Sequence, residues 1–211
     1  MPKSTVCSRR KPSAKREAIL DAAGEVFLEQ GYAAASMDNV AARAGVSKAT
    51  IYAHFTSKDD LFRAMVRRRC EQGEVFAPPS RPADARATLT ALGRRLMDLL
   101  LSPEGLAMYR VVMAESARQP DLARAFYESG PAAGKEQIAA IIADLARRGE
   151  MAVADPWVAA DLFVGMLRTD LFMRALLGLP QPEGRSLDGH VATAVETLMR
   201  AHTPPEKEDR P

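Results

Sequence analysis

The chain has 211 residues, 47% of them hydrophobic, with a formal net charge of +2 and only two cysteines, Cys7 and Cys70. That length buries a core without disulfide staples, and two distant cysteines outside any CxxC pair predict free thiols in a reducing cytoplasm. No secretory h-region follows the basic N-terminus and no apolar run is long enough for a membrane span, the most apolar stretch (159–179) being broken by Asp161, Arg168, Asp170 and Arg174.

Charge is unevenly divided along the chain. Residues 1–73 hold 13 Lys/Arg against 8 Asp/Glu, whereas residues 74–211 hold 16 against 19. The first 16 residues carry Lys3, Arg9, Arg10, Lys11, Lys15 and Arg16 and no acid. One end is thus suited to a polyanion and the other is not. Residues 1–12 lack apolar periodicity and read as a disordered basic arm, either a solvated tail or a source of extra phosphate or minor-groove contacts.

A first helix is predicted from about residue 13 to 30. Ile19, Ala22, Ala23, Val26 and Phe27 form its apolar stripe, and Gly31 stops it. Ser36 caps a second helix through Met37, Val40, Ala41 and Ala44, which Gly45 ends in the left-handed region. Ser47 caps a third helix, with Ile51 and Phe55 on its inward face at i, i+4. Ala49 and Ala53 then point outward, flanked by Lys48 and Tyr52 on one side and Thr50 and His54 on the other. A slim ridge flanked by hydrogen-bonding groups suits a helix in a DNA major groove. Ser57 caps a fourth helix, with Asp59 and Asp60 in its first turn. It is expected to reach about residue 76, and its Arg67-Arg68-Arg69 run reads as a solvated face.

Pro78, Pro79 and Pro82 mark a boundary, giving domains at 13–77 and 83–202 and a disordered tail at 203–211. Beyond it every segment is helical in pattern. Helices are expected at 83–101; from Ser102-Pro103 to about 118; from Pro120 until Gly130-Pro131 closes it; at 132–148; as one long helix over 155–178; and from Leu187 to Ala201. The fold class is all-α.

The stretch from Ala18 to Phe62 resembles the DNA-binding domain of the TetR/AcrR family of transcriptional regulators. The matching residues are the apolar first helix, Gly31-Tyr32, Ala44-Gly45-Val46-Ser47, Ile51-Tyr52, His54-Phe55, Lys58 and Leu61. Ala53 stands where family members often carry a larger residue. The resemblance implies an N-terminal three-helix helix-turn-helix domain and a larger helical domain for effector binding and dimerisation. It implies phosphate contacts from Ser36, Thr50, His54 and Lys58, and base or mixed contacts from Lys48, Ala49 and Tyr52. The partners implied are double-stranded DNA with a palindromic operator, a small apolar effector and a second copy of the chain. The expected activity is that of a repressor released by its effector. A DNA-binding or nucleoid-associated adaptor without a ligand shares every N-terminal signal and is the alternative.

No enzyme, metal or cofactor is expected. His54, His190 and His202 lack metal-ligand spacing, and no GxSxG, P-loop or GxGxxG is present. The second domain is rich in Met and aromatic residues, which fill cores and also line adaptable pockets. Met97, Tyr109, Met113, Phe126 and Met166 are the effector-site candidates. Arg168 and Asp170 interrupt the apolar helix; such charges are more often partnered on the same helix, as Asp170 is by Arg174 at i+4, than used to orient a polar ligand group. The last two long helices carry apolar residues on more than one stripe, so a four-helix dimer interface is expected there, with Val195 and Leu198 at its centre.

Overall fold

The computed structural model describes residues 14–72, 75–76 and 84–203. The expected basic arm (1–12), the Pro78–Pro82 boundary and the chain from 204 onward lie outside the described residues. Among the described residues there are eleven α-helices, one π-helical turn and no strand.

The first unit is built by four helices. α1 (Ala14–Ala34) buries Ile19, Leu20, Ala22, Ala23, Val26 and Phe27, and its regular path breaks at Gly31 (φ 74, ψ 163). α2 (Met37–Ala44) packs across it, burying Met37, Val40 and Ala41. α3 (Lys48–His54) follows, then α4 (Lys58–Gln72). Phe27, Tyr32 and Phe62 form the centre, with ring centroids 5.4–5.7 Å apart in tilted and edge-to-face contacts. Full burial of each such side chain contributes about 1.5–3 kcal/mol, so this trio holds α1 and α4 around the shorter helices. α4 stops at Gln72 rather than near residue 76; Val75 and Phe76 lie in a turn. By contacts, the compact units divide inside α4, between Met65 and Val66.

The second unit continues with α5 (Ala85–Leu101), α6 (Pro103–Glu115), α7 (Pro120–Tyr127), α8 (Ala133–Arg147), α9 (Pro156–Leu167), α10 (Asp170–Leu177) and α11 (Leu187–Ala201). Its core is one cluster including Leu89, Leu92, Met97, Ile138, Ile142, Phe163, Leu167, Val191 and Val195. α5 and α11 cross closely at Gly93, where a Cβ would lie 2.9 Å from Val191 Cγ1 and 3.4 Å from Phe163 Cζ.

Three expectations change here. The single helix over 155–178 is two helices, because Arg168 (φ −89, ψ 41) and Thr169 (φ −87, ψ −140) leave the helical region. The break lets Phe163 and Leu167 of α9 and Phe172 and Leu176 of α10 all reach the core. His190 Nε2, from α11, donates to the freed Leu167 carbonyl at 3.0 Å. Gly130-Pro131 does not close a helix. The chain winds through a π-helical turn (Glu128–Ala132) straight into α8, a widened turn that omits the bond Pro131 cannot donate and leaves room for its ring. Val195 and Leu198 are 1% and 2% exposed within their own unit, so they are core residues and not the centre of a dimer surface.

Candidate nucleic-acid interface

The turn before α3 is set by two caps and one backbone conformation. Gly45 sits at φ 64, ψ 32, and the Val46 N–H donates to the Ala41 carbonyl at 3.0 Å. A residue with a Cβ would be strained there. Ser36 Oγ accepts from the Asn39 N–H at 3.1 Å and Ser47 Oγ from the Thr50 N–H at 3.1 Å, closing the first turns of α2 and α3.

α3 is anchored through one side only. Ile51 and Phe55 are 0% and 2% exposed, while Lys48, Ala49, Tyr52, Ala53 and His54 are exposed and Thr50 is half-buried. The outward ridge is therefore Ala49 and Ala53. Tyr52 and Lys48 lie on one flank, and His54 and Thr50, the latter 2.8 Å from Ser47 Oγ, on the other. Ser36 is half-buried at the start of α2, and with its oxygen accepting from Asn39 its proton remains for an outside acceptor.

Two of the expected contact residues are already engaged. Lys48 Nζ lies 2.9 Å from one Asp38 carboxylate oxygen and 3.0 Å from the other, and this hydrogen bond and charge raise its pKa above the ordinary lysine value. Both side chains are exposed, so the pair can exchange partners. Lys58 is turned inward: Nζ donates to the Tyr32 carbonyl at 2.8 Å and the Ala35 carbonyl at 3.1 Å, and lies 4.3 Å from the Tyr32 ring centroid. Partial burial lowers its pKa, with the Asp59 charge working the other way. Where an ammonium–phosphate clamp is expected, Lys58 in this structure ties the carbonyls at the end of α1. The reason is geometric, since the first turn of α4 lies against the end of α1, where the helix is broken at Gly31. Tyr32 also donates its hydroxyl hydrogen to Asp59.

Local reading of the sequence misses a buttress behind the helix-turn-helix. Arg43 bridges Glu25 at 2.8 Å and Glu29 at 2.7 Å, holding α2 on α1. Its three residues look like ordinary surface charge until the helices are packed. Arg69, from the run read as solvated, pairs with Glu104 at 2.9 Å and donates to Ser102 Oγ at 3.0 Å.

The effector candidates in the second unit lie at different depths. Met97 is wholly buried core, Met166 is half-buried against that core, and Met113 is 61% exposed and outside it. Tyr109 and Phe126 do meet, ring to ring at 5.0 Å, and Tyr109 meets Phe172 at 5.2 Å, both edge-to-face. Arg168 lies over Tyr109 and Phe172. Burial pushes the Tyr109 phenol above its ordinary pKa, with the Arg168 charge opposing. Cys70 is likewise pushed up by burial, as befits an unreactive thiol.

Residues 87–204 match the profile of the C-terminal domain of AefR-like transcriptional repressors, and residues 19–65 that of the TetR family of bacterial regulatory proteins. The chain is 49% identical over 57 residues to the transcriptional activator FasR of Mycolicibacterium smegmatis and 42% identical over 67 residues to the transcriptional repressor BepR of Brucella suis. These matches cover 27% and 31% of this chain and only 26% and 32% of those relatives. Two solved structures match over nearly all of their length. A TetR-family regulator from Mesorhizobium loti is 32% identical, with 89% of this chain and 96% of the other covered and a TM-score of 0.73. The flavonoid-responsive regulator FrrA is 33% identical, with 91% and 98% covered and a TM-score of 0.73. With this fold, this helix-turn-helix and both profile matches, the chain belongs to the TetR family of DNA-binding transcriptional regulators.

Proposed function

We propose that the chain acts as a homodimeric repressor, seated on a palindromic operator through α3 and released by a small effector bound in the second unit. The exposure pattern of α3 carries the DNA reading. Its ridge is two alanines with polar flanks, slim enough to approach base edges while Thr50, His54 and Ser36 reach phosphates. Ala49 is placed to pack on a thymine methyl and Lys48 to donate to guanine O6 or N7. A dimer sets two such helices on successive half-sites.

Support for the dimer lies on α9 and α10. Val158, Leu162, Met173 and Leu177 are each more than half exposed, and they recur at helical spacing along the outer side of both helices. An apolar stripe of this kind on a family of dimeric regulators is best covered by its own copy. For the effector, the response of FrrA to flavonoids supports a flat aromatic compound, and the partly buried Tyr109 and Phe126, in ring contact with each other, offer aromatic surface to match. Regulation then requires the ligand to bind the DNA-bound and free forms unequally.

Selection of bound sequences from a randomised DNA library, followed by titration of the selected duplex, tests this reading. A palindromic sequence bound by the parent chain and lost in Ala49→Glu is the expected result. Ala49 is exposed, so the substitution leaves the fold intact while setting a carboxylate on the ridge. Normal binding by Ala49→Glu would remove α3 from the groove.

A further inference from the structure

Arg168 lies at the break between α9 and α10, half-buried, with its guanidinium carbon 5.3 Å from the Tyr109 ring centroid and 5.0 Å from that of Phe172. Its Nε is buried and has no hydrogen-bond partner. The acidic residues near it in sequence are committed elsewhere, Asp170 to Arg174 at 3.1 Å and Asp161 to Lys135 at 2.5 Å. Arg110 satisfies the last carbonyls of α10, those of Ala175 and Leu176, at 2.8 Å each. Among the described residues Arg168 has no carboxylate at ion-pair distance.

A guanidinium drawn partly out of water with an unmet donor is costly, and two aromatic faces return only part of that cost. An anion is the missing partner, since a carboxylate can accept from Nε–H and a neighbouring N–H together. The rings stand edge-to-face, Phe126 to Tyr109 at 83° and Tyr109 to Phe172 at 76°; Tyr109 and Phe126 are only partly buried, and Phe172 closes the cluster from the core. Phe126 reaches the cluster from α7, whose C-terminal end runs into the wide π-helical turn.

We propose that Arg168 is the anion anchor of the effector site, and that the effector is a planar aromatic acid with its carboxylate on Arg168 and its ring against Tyr109 and Phe126. This rests on the reading of the second unit as an effector domain and adds the ligand's charge and its recognition residue. It also supplies a route for the signal. Arg168 and Thr169 are the non-helical joint between α9 and α10, so a ligand that fixes Arg168 fixes the angle between the two helices bearing the exposed apolar stripe.

The test uses the full chain with cinnamate and 2-naphthoate as probes and their methyl esters as neutral controls, measured by calorimetry on the parent, Arg168→Met and Arg168→Lys. The parent is expected to bind one of the acids about 10- to 150-fold more tightly than its ester, the range for a charge-assisted hydrogen bond. Arg168→Met should lose that preference by weakening for the acid alone, and Arg168→Lys should keep part of it. Without ligand, Arg168→Met should melt within about 4 °C of the parent, because no ion pair is broken. A melting point lowered by tens of degrees would make Arg168 a structural residue and overturn the proposal. So would equal binding of acid by the parent and Arg168→Met, or no binding of either acid. Esters that bind without the acids would refute the anchor while leaving the effector domain intact. A screen of neutral apolar compounds that neither raise the melting point nor weaken operator binding would count against the effector domain itself.

Discussion

Lysine 58 shows how a residue's type and its role can part. Its ammonium holds the carbonyls of Tyr32 and Ala35, where the donors of one nitrogen tie down the end of α1. Lys58→Met keeps the stem and removes those bonds. It should lower stability by about 1–2 kcal/mol, read as a fall in melting temperature, while the salt dependence of DNA binding stays as in the parent. A slope flattened by a full phosphate contact would show that the ammonium leaves its carbonyls on the operator. Lys48 is the opposite case. Asp38 holds it at the surface as an internal substitute for a phosphate or a guanine. Asp38→Asn should therefore tighten binding to non-operator DNA and steepen the logarithmic salt slope by up to about 0.9, one released counterion. Fluorescence anisotropy over a salt series measures both quantities, and an unchanged slope would mean that Lys48 never meets the backbone.

Helices are where capping chemistry and packing divide the work. α2 and α3 are written locally: Ser36 and Ser47 accept from the third residue on, Gly45 supplies the left-handed turn, and Ile51 and Phe55 set the buried face. The α9–α10 break has no such signature. Thr169 makes no side-chain cap, and the freed Leu167 carbonyl finds its donor in His190, on α11. The α5–α11 crossing is equally a matter of packing. Gly93→Val would press on Val191 and Phe163, and overpacking of this kind costs about 1–3 kcal/mol. Chemical denaturation should show a lowered midpoint with an unchanged slope; an unaltered midpoint would mean that the crossing relaxes freely.

For the whole molecule the deciding property is assembly. Leu162→Glu with Met173→Glu places two charges on the exposed stripe of α9 and α10, where neither side chain supports the core. Light scattering should report monomers, and operator affinity should fall to that of a half-site while helix content is preserved. A variant that stays dimeric would move the interface to another face. Coupling between effector and operator is expected at about 1–3 kcal/mol, a 5- to 150-fold change in affinity, and by linkage the operator must weaken the effector equally. Trp157, the single tryptophan, opens α9 beside Lys135 and gives a fluorescence signal for that titration.

What the sequence determined by itself was everything carried by near neighbours in the chain: an all-α class, the helix-turn-helix with its caps and glycine turn, the outward ridge of α3, and the pairing of Asp170 with Arg174. Each depends on interactions within one or two helical turns, which periodicity and capping chemistry express directly. Tertiary structure decided what depends on distant partners. It turned Lys58 onto carbonyls more than twenty residues away, joined Arg43 to α1, split α9 from α10, and buried Val195 and Leu198 in their own unit. It left Met113 exposed while Tyr109 packs against the core, and it set Arg168 among aromatic rings without a counter-ion. A helical stripe shows that a face is apolar, but whether its neighbour, a ligand or a second copy covers it is fixed only when the helices are brought together.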